Sequence, residues 1–322
     1  MSDHALDELH DLLSRFQSPV HDGDPLVRYV CSLFAELAYY HVPQFEIDGK
    51  KRAKVIPCDV YQTLVGRGAS TDLLVILNEK DFLRRFVVVD RGVIAVGVEH
   101  NRLLFIGFRG TQFLFDWRIN LRCRLVPIRS RFLFRGPFGS NTIAGRLHVG
   151  FGEEAVRISS RILDAIRDSR LEDVDHVFLT GHSLGGAVAA IAENFIRVAP
   201  TSVCMFGAPR YSDYSAYGTL PNGPPTQVRR RGDIVPTVPP RLFGYVDNPY
   251  EFTTDGQAYV EAMPRLALAS DSLRWLKFLA KRFRPHSVEA YRRELGKVAG
   301  ASKAAAPLAP VEKLTRKLVA NK

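Results

Sequence analysis

The sequence predicts an α/β fold in which a central, mostly parallel sheet carries helices on both faces. Its clearest support is the stretch 176–231, where short apolar strands alternate with a helical segment. The composition agrees, because 46% hydrophobic and 24% charged residues suit a domain that buries a large core. No run of 18 apolar residues is present, so we predict no transmembrane helix.

The predicted elements follow from residue spacing along the chain. Asp24 and Pro25 fit the first positions of a helix that runs to Tyr40 with apolar residues at helical spacing. A hairpin turn at 99–102 joins two β-rich runs. The predicted strands are 84–90, 93–99, 102–108, 176–180, 202–208 and 226–231, and the later helices are 150–170 and 184–199.

These elements divide the chain into an N-terminal lead-in, a domain and a C-terminal tail. Residues 1–23 form an N-terminal lead-in, and residues 24–298 form the α/β domain. Residues 299–322 begin as an Ala/Pro-rich linker and end in a short basic pattern, so we predict a mobile tail without a catalytic role.

The net charge of +10 raises the question of an acidic partner. No nucleic-acid-binding motif is visible and the arginines are spread along the chain, so we predict no nucleic-acid partner. An anionic membrane surface remains a candidate for peripheral contact. The N-terminal residues alternate acids with leucines and show no secretory signal, which predicts a cytoplasmic protein.

The four cysteines are far apart and form no C-x-x-C pair. We interpret them as reduced thiols, and neither zinc-like spacing nor another metal site is visible.

One short motif indicates chemistry. Gly181-His182-Ser183-Leu184-Gly185 lies where a predicted strand ends and a predicted helix begins. A Gly-rich turn with Ser183 as a helix N-cap is one interpretation. We favour the other, a nucleophile elbow, because small residues stand on both sides of Ser183 and the helix N-terminus places free N–H groups beside it.

A serine nucleophile needs a base and an acid that orients the base. In α/β-hydrolases these follow in the order Ser, Asp or Glu, His. His286 is the only histidine after Ser183, and the side chain of His182 is expected to leave the turn in another direction than that of the serine. Asp233 follows a predicted strand, where an acid faces the ligand crevice. Asp255 and Asp247 are the next candidates for the acid.

Six stretches in this order resemble the class 3 lipases, the fungal-lipase-like branch of the α/β-hydrolases. They are FIGFRGT-x4-DW (105–117), HVGF (148–151), GHSLGG (181–186), FGAPR (206–210), GDIVPTVPP (232–240) and H-x4-Y (286–291). Together they cover roughly residues 24–295 and are far more specific than the pentapeptide alone.

The resemblance implies an α/β-hydrolase fold with a Ser183–Asp233–His286 triad. It also implies an oxyanion hole formed by Thr111 and by the backbone N–H of Leu184. A short lid is expected over residues 112–119, where Phe113, Phe115 and Trp117 cover an acyl groove; an ordinary core helix is the alternative. Secreted members of the family carry signal peptides and often disulfides, which this sequence does not show.

The sequence therefore predicts a carboxylic ester hydrolase that acts on lipid esters of the acylglycerol type, without a cofactor. Phospholipase or acyltransferase activity on the same triad stays open, as does a catalytically silent lipase-like binding protein. Residues 271–284 form a basic amphipathic pattern that suits either an anionic membrane surface or packing on the core.

Overall fold

An eight-stranded mixed sheet lies at the centre of the fold. The computed structural model describes residues 4–16, 23–40, 46–47, 50–51, 54–56, 84–90, 93–109, 124–128, 145–171, 173–217, 223–259 and 286–308. The strands are β1 (Glu46–Ile47), β2 (Lys50–Lys51), β3 (Lys54–Ile56), β4 (Arg84–Asp90), β5 (Val93–His100), β6 (Leu103–Arg109), β7 (Leu125–Pro127), β8 (Arg146–His148), β9 (His176–His182), β10 (Thr201–Phe206), β11 (Thr226–Arg229) and β12 (Glu251–Thr253). The large sheet has the order β12-β11-β10-β9-β6-β5-β4-β3, and β1-β2 and β7-β8 form separate pairs.

The large sheet is mostly parallel, as predicted. Strands β6, β9, β10, β11 and β12 run in one direction, whereas β3, β4, β5 and β6 pair antiparallel. The predicted hairpin joins β5 to β6, and only Asn101 and Arg102 lie between the paired His100 and Leu103. Both turn residues have positive φ, 50° and 62°, as a type I′ turn requires. The carboxyl ends of the parallel strands meet at one edge, where a ligand site is expected.

Helices cover both faces of the sheet. They are α1 (Leu9–Ser14), α2 (Pro25–Leu37), α3 (Val149–Asp168), α4 (Leu184–Ala192), α5 (Tyr214–Tyr217) and α6 (Val288–Val298). Helices α3 and α4 pack on one face. Helices α1, α2 and α6 pack on the other, where Phe34, Phe105 and Phe178 stack with 4.9 Å between successive ring centroids. The predicted α/β architecture, a mostly parallel sheet with helices on both faces, is confirmed.

Local hydrogen bonds explain where the helices next to the site begin and end. Asp24 Oδ1 accepts a 2.8 Å hydrogen bond from Leu26 N, so α2 begins at the predicted cap. The helix predicted over 184–199 ends earlier, at Ala192. At this end the Asn194 side chain donates to the Ile191 carbonyl at 3.0 Å, and Phe195 N bonds to the Ala192 carbonyl instead of that of Ile191. None of the described helices combines the length and apolar character needed to cross a bilayer.

Residues 299–308, the described part of the predicted mobile tail, pack against the N-terminal residues and therefore differ from the prediction, whereas residues 309–322 lie outside the described residues. Leu308 is buried, and Leu6 N donates to its carbonyl at 3.1 Å. The fully buried Arg292 side chain donates to Glu36 at 2.5 Å and to the Ala304 carbonyl at 3.1 Å. Residues 299–308 are therefore fixed on α2 and α6, because they supply carbonyl groups to a buried guanidinium.

The buried side chain of His148 leads us to expect that the protein is less stable in acid. Its ring is buried, caps α3 and stacks on Phe151, and burial lowers its pKa to about 4. Between that value and the ordinary value of about 6.5, the unfolded chain binds a proton that the folded chain does not. The free energy of unfolding should therefore fall by about 3 kcal/mol as the pH drops through this interval.

Urea unfolding measured at several pH values between 4 and 7 tests this expectation. The His148→Asn variant keeps a side-chain acceptor at the helix cap but has no titrating ring, so its stability should depend less on pH. Equal slopes for the two proteins would show that His148 does not contribute.

Candidate active site

Ser183 occupies the turn between β9 and α4. Its backbone angles, φ 58° and ψ −131°, are strained for a residue with a side chain. The turn is held in place because Ser183 N donates to the Phe206 carbonyl in β10 at 2.9 Å. The Ser183 side chain makes no capping hydrogen bond to α4. The plain capped turn, the first interpretation of the motif, therefore does not describe this geometry.

Two glycines allow α4 to lie directly against β9. A Cβ atom on Gly181 would stand 2.4 Å and 2.5 Å from the carbonyl carbon and oxygen of Gly185. A Cβ atom on Gly186 would stand 2.9 Å from both Ala208 Cβ and the Gly181 carbonyl. Main-chain atoms cannot yield at these distances, so the elbow requires glycine at both positions.

Asp233 and His286 meet beside the elbow. Both side chains are buried, and His286 Nδ1 lies 2.8 Å from Asp233 Oδ2. The other carboxylate oxygen accepts a 2.9 Å hydrogen bond from Val235 N. His286 Nε2 is buried and has no hydrogen-bond partner among the described residues, so it does not bond to Ser183 in this conformation. Such catalytic hydrogen bonds often form only when substrate is bound.

Gly207, in the FGAPR stretch, is the point at which these groups converge. Its φ is +57°, and a Cβ atom there would lie 2.7 Å from Asp233 Oδ2, 2.8 Å from the Tyr291 hydroxyl and 3.2 Å from His286 Cε1. A side chain at this position would displace the acid and the base together.

Arg210 holds the loop that follows Asp233. Its buried guanidinium donates to the Thr237 carbonyl at 2.5 Å and to the Pro239 carbonyl at 3.0 Å. It also donates to Asp247 at 2.6 Å, so this alternative acid is engaged away from His286. Asp255, the other alternative, bonds to Thr253. Of the three acids considered from the sequence, the structure brings Asp233 alone to His286.

The His182 side chain lies on the sheet face that α2 covers and also contacts the base, a contact that the sequence did not predict. Its ring lies 4.3 Å from the His286 ring, centroid to centroid, and its Nδ1 is 3.0 Å from the Tyr39 hydroxyl. Burial lowers the pKa of His182 well below 6.5, which keeps the ring neutral. Alternation along β9 contained this signal, because His182 shares a face with Phe178 and Thr180, the face that α2 covers.

Of the predicted oxyanion-hole and lid residues, the structure describes Leu184. Leu184 is the first residue of α4, so its N–H cannot be bonded within the helix. Strand β6 ends at Arg109, which pairs with His182, so the end of β6 lies next to the elbow. The remaining predicted positions lie outside the described residues: Thr111, Phe113, Phe115, Trp117 and segment 271–284.

A metal site is not apparent in the described part of the chain. There, no three or more His, Cys, Asp or Glu side chains are grouped in a way that could hold a metal ion. What the geometry does offer is a strained serine, an imidazole whose Nε2 is unpartnered among the described residues and a buried carboxylate, the components of acyl transfer.

Comparison with known proteins relates the central part of the chain to one family. The family described as Lipase (class 3) matches residues 105–243. Through this segment, which is less than half of its length, the chain is similar to the class 3 lipases. The match includes Ser183 and Asp233, while His286 lies beyond it.

Curated relatives match the class 3 lipase segment over part of their length. A secreted mono- and diacylglycerol lipase from Fusarium solani is 33% identical over 128 residues, which are 37% of this chain and 38% of that protein. A secreted mono- and diacylglycerol lipase from Malassezia globosa is 36% identical over 130 residues, 38% of this chain and 40% of that protein. The chain thus spans about two fifths of the length of these relatives. A lipase structure from Rhizopus microsporus var. chinensis is 18% identical, covers 70% of this chain and 74% of that chain, and has a TM-score of 0.47.

These relatives overturn the prediction of a cytoplasmic protein. Two of them are named as secreted lipases. The prediction rested on the lack of a recognisable secretory signal near residue 1, and that observation was not sufficient to assign a compartment.

Proposed function

We propose that this protein is a carboxylic ester hydrolase of the class 3 lipase type that uses Ser183 as nucleophile, His286 as base and Asp233 as the acid that orients the base. The observation that carries the proposal is the contact of a buried Asp233–His286 pair at 2.8 Å beside a strained, uncapped Ser183. The confinement of the pair in a buried setting strengthens its electrostatic interaction.

The reaction follows from the roles of these atoms. Ser183 Oγ attacks the ester carbonyl carbon while His286 Nε2 takes the hydroxyl proton. The N–H of Leu184, with Thr111 as the proposed second donor, stabilises the tetrahedral oxyanion. The C–O bond then breaks, and the proton on His286 passes to the leaving alcohol. Water attacks the acyl-enzyme with the same base, releases the carboxylic acid and restores Ser183.

Acylglycerols are the proposed substrates. Support comes from the family and from the names of the Fusarium solani and Malassezia globosa proteins, which are mono- and diacylglycerol lipases. A phospholipase would cleave the same type of ester, and an acyltransferase would differ only in the nucleophile that attacks the acyl-enzyme. A silent binding protein does not need the buried contact between Asp233 and His286.

Labelling with a fluorophosphonate probe tests the proposal directly. The probe should modify Ser183, as peptide mass spectrometry would show, and a panel of acylglycerols, phospholipids and short esters should rank acylglycerols first. Fastest turnover of phospholipids would replace lipase by phospholipase. Release of acyl esters instead of fatty acid in the presence of alcohols would favour transfer.

A contact with an anionic lipid surface is the second part of the proposal. Leu242 and Phe243 are 71% and 49% exposed on a short 3-10 turn that contains no buried residue. This turn follows the Asp233 loop, and Arg241 anchors it by bonding to Asp247. Exposed apolar side chains on the turn that follows the Asp233 loop suit insertion into a lipid interface, and the net charge of +10 favours anionic lipid.

Replacing both Leu242 and Phe243 with serine should weaken binding to phosphatidylglycerol vesicles several-fold, because apolar area is lost from the interface. Binding of the wild type should also decrease as salt rises from about 0.05 to 0.5 M. Vesicle sedimentation measures both effects, with Val298→Ser as a control at an exposed position on α6. Equal binding to neutral and anionic vesicles at low salt would contradict the charge dependence.

A further inference from the structure

We propose that Tyr291 is a positioning residue, whose hydroxyl holds the Asp233 carboxylate in the orientation that serves His286 and shares its negative charge. This inference rests on the proposed hydrolase function. The H-x4-Y stretch contains Tyr291, and the triad alone assigns no role to it.

The Tyr291 hydroxyl contacts the same oxygen as the base. It donates to Asp233 Oδ2 at 2.7 Å, while His286 Nδ1 lies 2.8 Å from that oxygen. The hydroxyl oxygen also accepts a 3.0 Å hydrogen bond from Arg230 N, which directs its own proton toward the carboxylate. Burial, and then the charge of Asp233, raise the pKa of Tyr291 well above 10, so the hydroxyl remains a donor.

Three donors therefore fix the carboxylate. Val235 N occupies Oδ1, and His286 and Tyr291 share Oδ2. Rotation of the carboxylate about its χ2 bond would break all three contacts. Without the hydroxyl, Oδ2 would keep only the imidazole as partner, and the orientation of the acid would depend on the group that it is meant to orient.

The fold holds Tyr291 independently of Asp233. Its ring is fully buried and lies 5.7 Å from the His182 ring and 6.2 Å from the Phe206 ring. One turn later on α6, Glu294 bonds to Arg230 at 2.6 Å and to the Thr254 hydroxyl at 2.8 Å. The hydroxyl therefore stays at its position whether or not the carboxylate is charged. His286, just before α6, and Tyr291, in its first turns, reach Asp233 from a single helix start.

Loss of the Tyr291 hydroxyl should shift the pH dependence of activity in a predictable direction. The carboxylate charge would concentrate on the contact with His286, which favours the protonated imidazole, so neutral base would appear only at higher pH. The other ionisable groups around the Asp233–His286 pair are not expected to change their protonation state near neutral pH. Burial keeps His182 neutral by lowering its pKa and keeps Tyr39 neutral by raising its pKa, and the hydrogen bond to Glu294 raises the pKa of Arg230. These neighbouring groups are His182 on β9, Tyr39 after α2, Arg229 and Arg230 at the end of β11, and Glu294 on α6.

The test compares Tyr291→Phe with Tyr211→Phe, which removes an equally buried hydroxyl outside the site. For Tyr291→Phe we expect kcat on a soluble short-chain ester to fall about ten-fold with KM nearly unchanged, as befits one lost hydrogen bond to a charged group. The acidic limb of its kcat/KM profile should move up by about half a pH unit. Tyr211→Phe should keep the wild-type profile and kcat.

A second variant covers the case in which Tyr291→Phe does not fold. Site-specific 3-fluorotyrosine at position 291 preserves the ring and gives a more acidic, stronger donor, so the acidic limb should move in the opposite direction, to lower pH. Circular dichroism and thermal unfolding verify folding for each variant.

The outcomes are distinguishable. A Tyr291→Phe enzyme with the wild-type profile overturns the inference, as does an equal fall of kcat in both Phe variants without a pH shift. If Ser183→Ala hydrolyses the ester as fast as wild type, the proposed function fails. If Ser183→Ala is inactive while Tyr291→Phe behaves as wild type, only the role of Tyr291 fails.

Discussion

The Ser183→Ala variant should lose at least about a thousand-fold in ester hydrolysis while remaining folded. The loss is large because the substitution removes the atom that forms the acyl-enzyme, and no other described side chain takes its place beside His286. Stability should change little. The Ser183 side chain makes no capping bond to α4, and alanine has the same conformational strain at φ 58° as serine.

Hydrolysis of a short soluble ester and labelling by a fluorophosphonate both measure this effect, and neither depends on a lipid surface. Ser202→Ala is a suitable control, because it removes a hydroxyl that bonds to His176 at 2.9 Å outside the site. Ser183→Ala with wild-type activity would mean that the elbow serine is not the nucleophile.

The positions of Ser183 and Asp233 in the fold were predictable because local rules determine them. Small residues around Ser183 predicted a tight passage from strand to helix. In the structure, a Cβ atom added to Gly181 would lie only 2.4 Å from a main-chain atom of α4. Asp233 follows β11, as expected for an acid at the carboxyl end of a parallel strand. Short-range spacing was enough for both.

Contacts between distant parts of the chain were not predictable in the same way. His182 meets Tyr39, 143 residues earlier in the sequence, and no local spacing reports that pairing. Arg292 bonds to Glu36 across 256 residues and fixes a segment that composition alone suggested to be mobile. The composition of residues 299–308 suggested mobility, but the buried Arg292 guanidinium needs hydrogen-bond acceptors. Carbonyl groups of this segment accept from it, which keeps the segment in place.

Asp233→Asn should reduce kcat severely, by about ten-thousand-fold as when the acid of a serine triad becomes an amide. The arrangement around Asp233 explains why. All three of its partners donate hydrogen bonds: His286 Nδ1, the Tyr291 hydroxyl and Val235 N. A carboxylate accepts from all of them, whereas an amide has one acceptor and one donor group.

Both orientations of the asparagine amide are unfavourable. With its NH2 at the place of Oδ2, it faces two donors and forces the His286 proton onto Nε2, where the ring can no longer accept a proton from Ser183. With its oxygen at that place, the NH2 opposes the buried Val235 N–H, and the charge that stabilises the imidazolium is absent. Loss of the negative charge is common to both.

Asp247→Asn supplies the matched control for this prediction. Asp247 is bonded to Arg210 and Arg241, so its substitution should loosen the loop that follows Asp233 and lower stability, with a much smaller effect on kcat. Measuring kcat and thermal unfolding for both variants separates the two roles. An active Asp233→Asn enzyme together with an inactive Asp247→Asn enzyme would reassign the acid, since then the charge that matters to His286 would be the one held by Arg210.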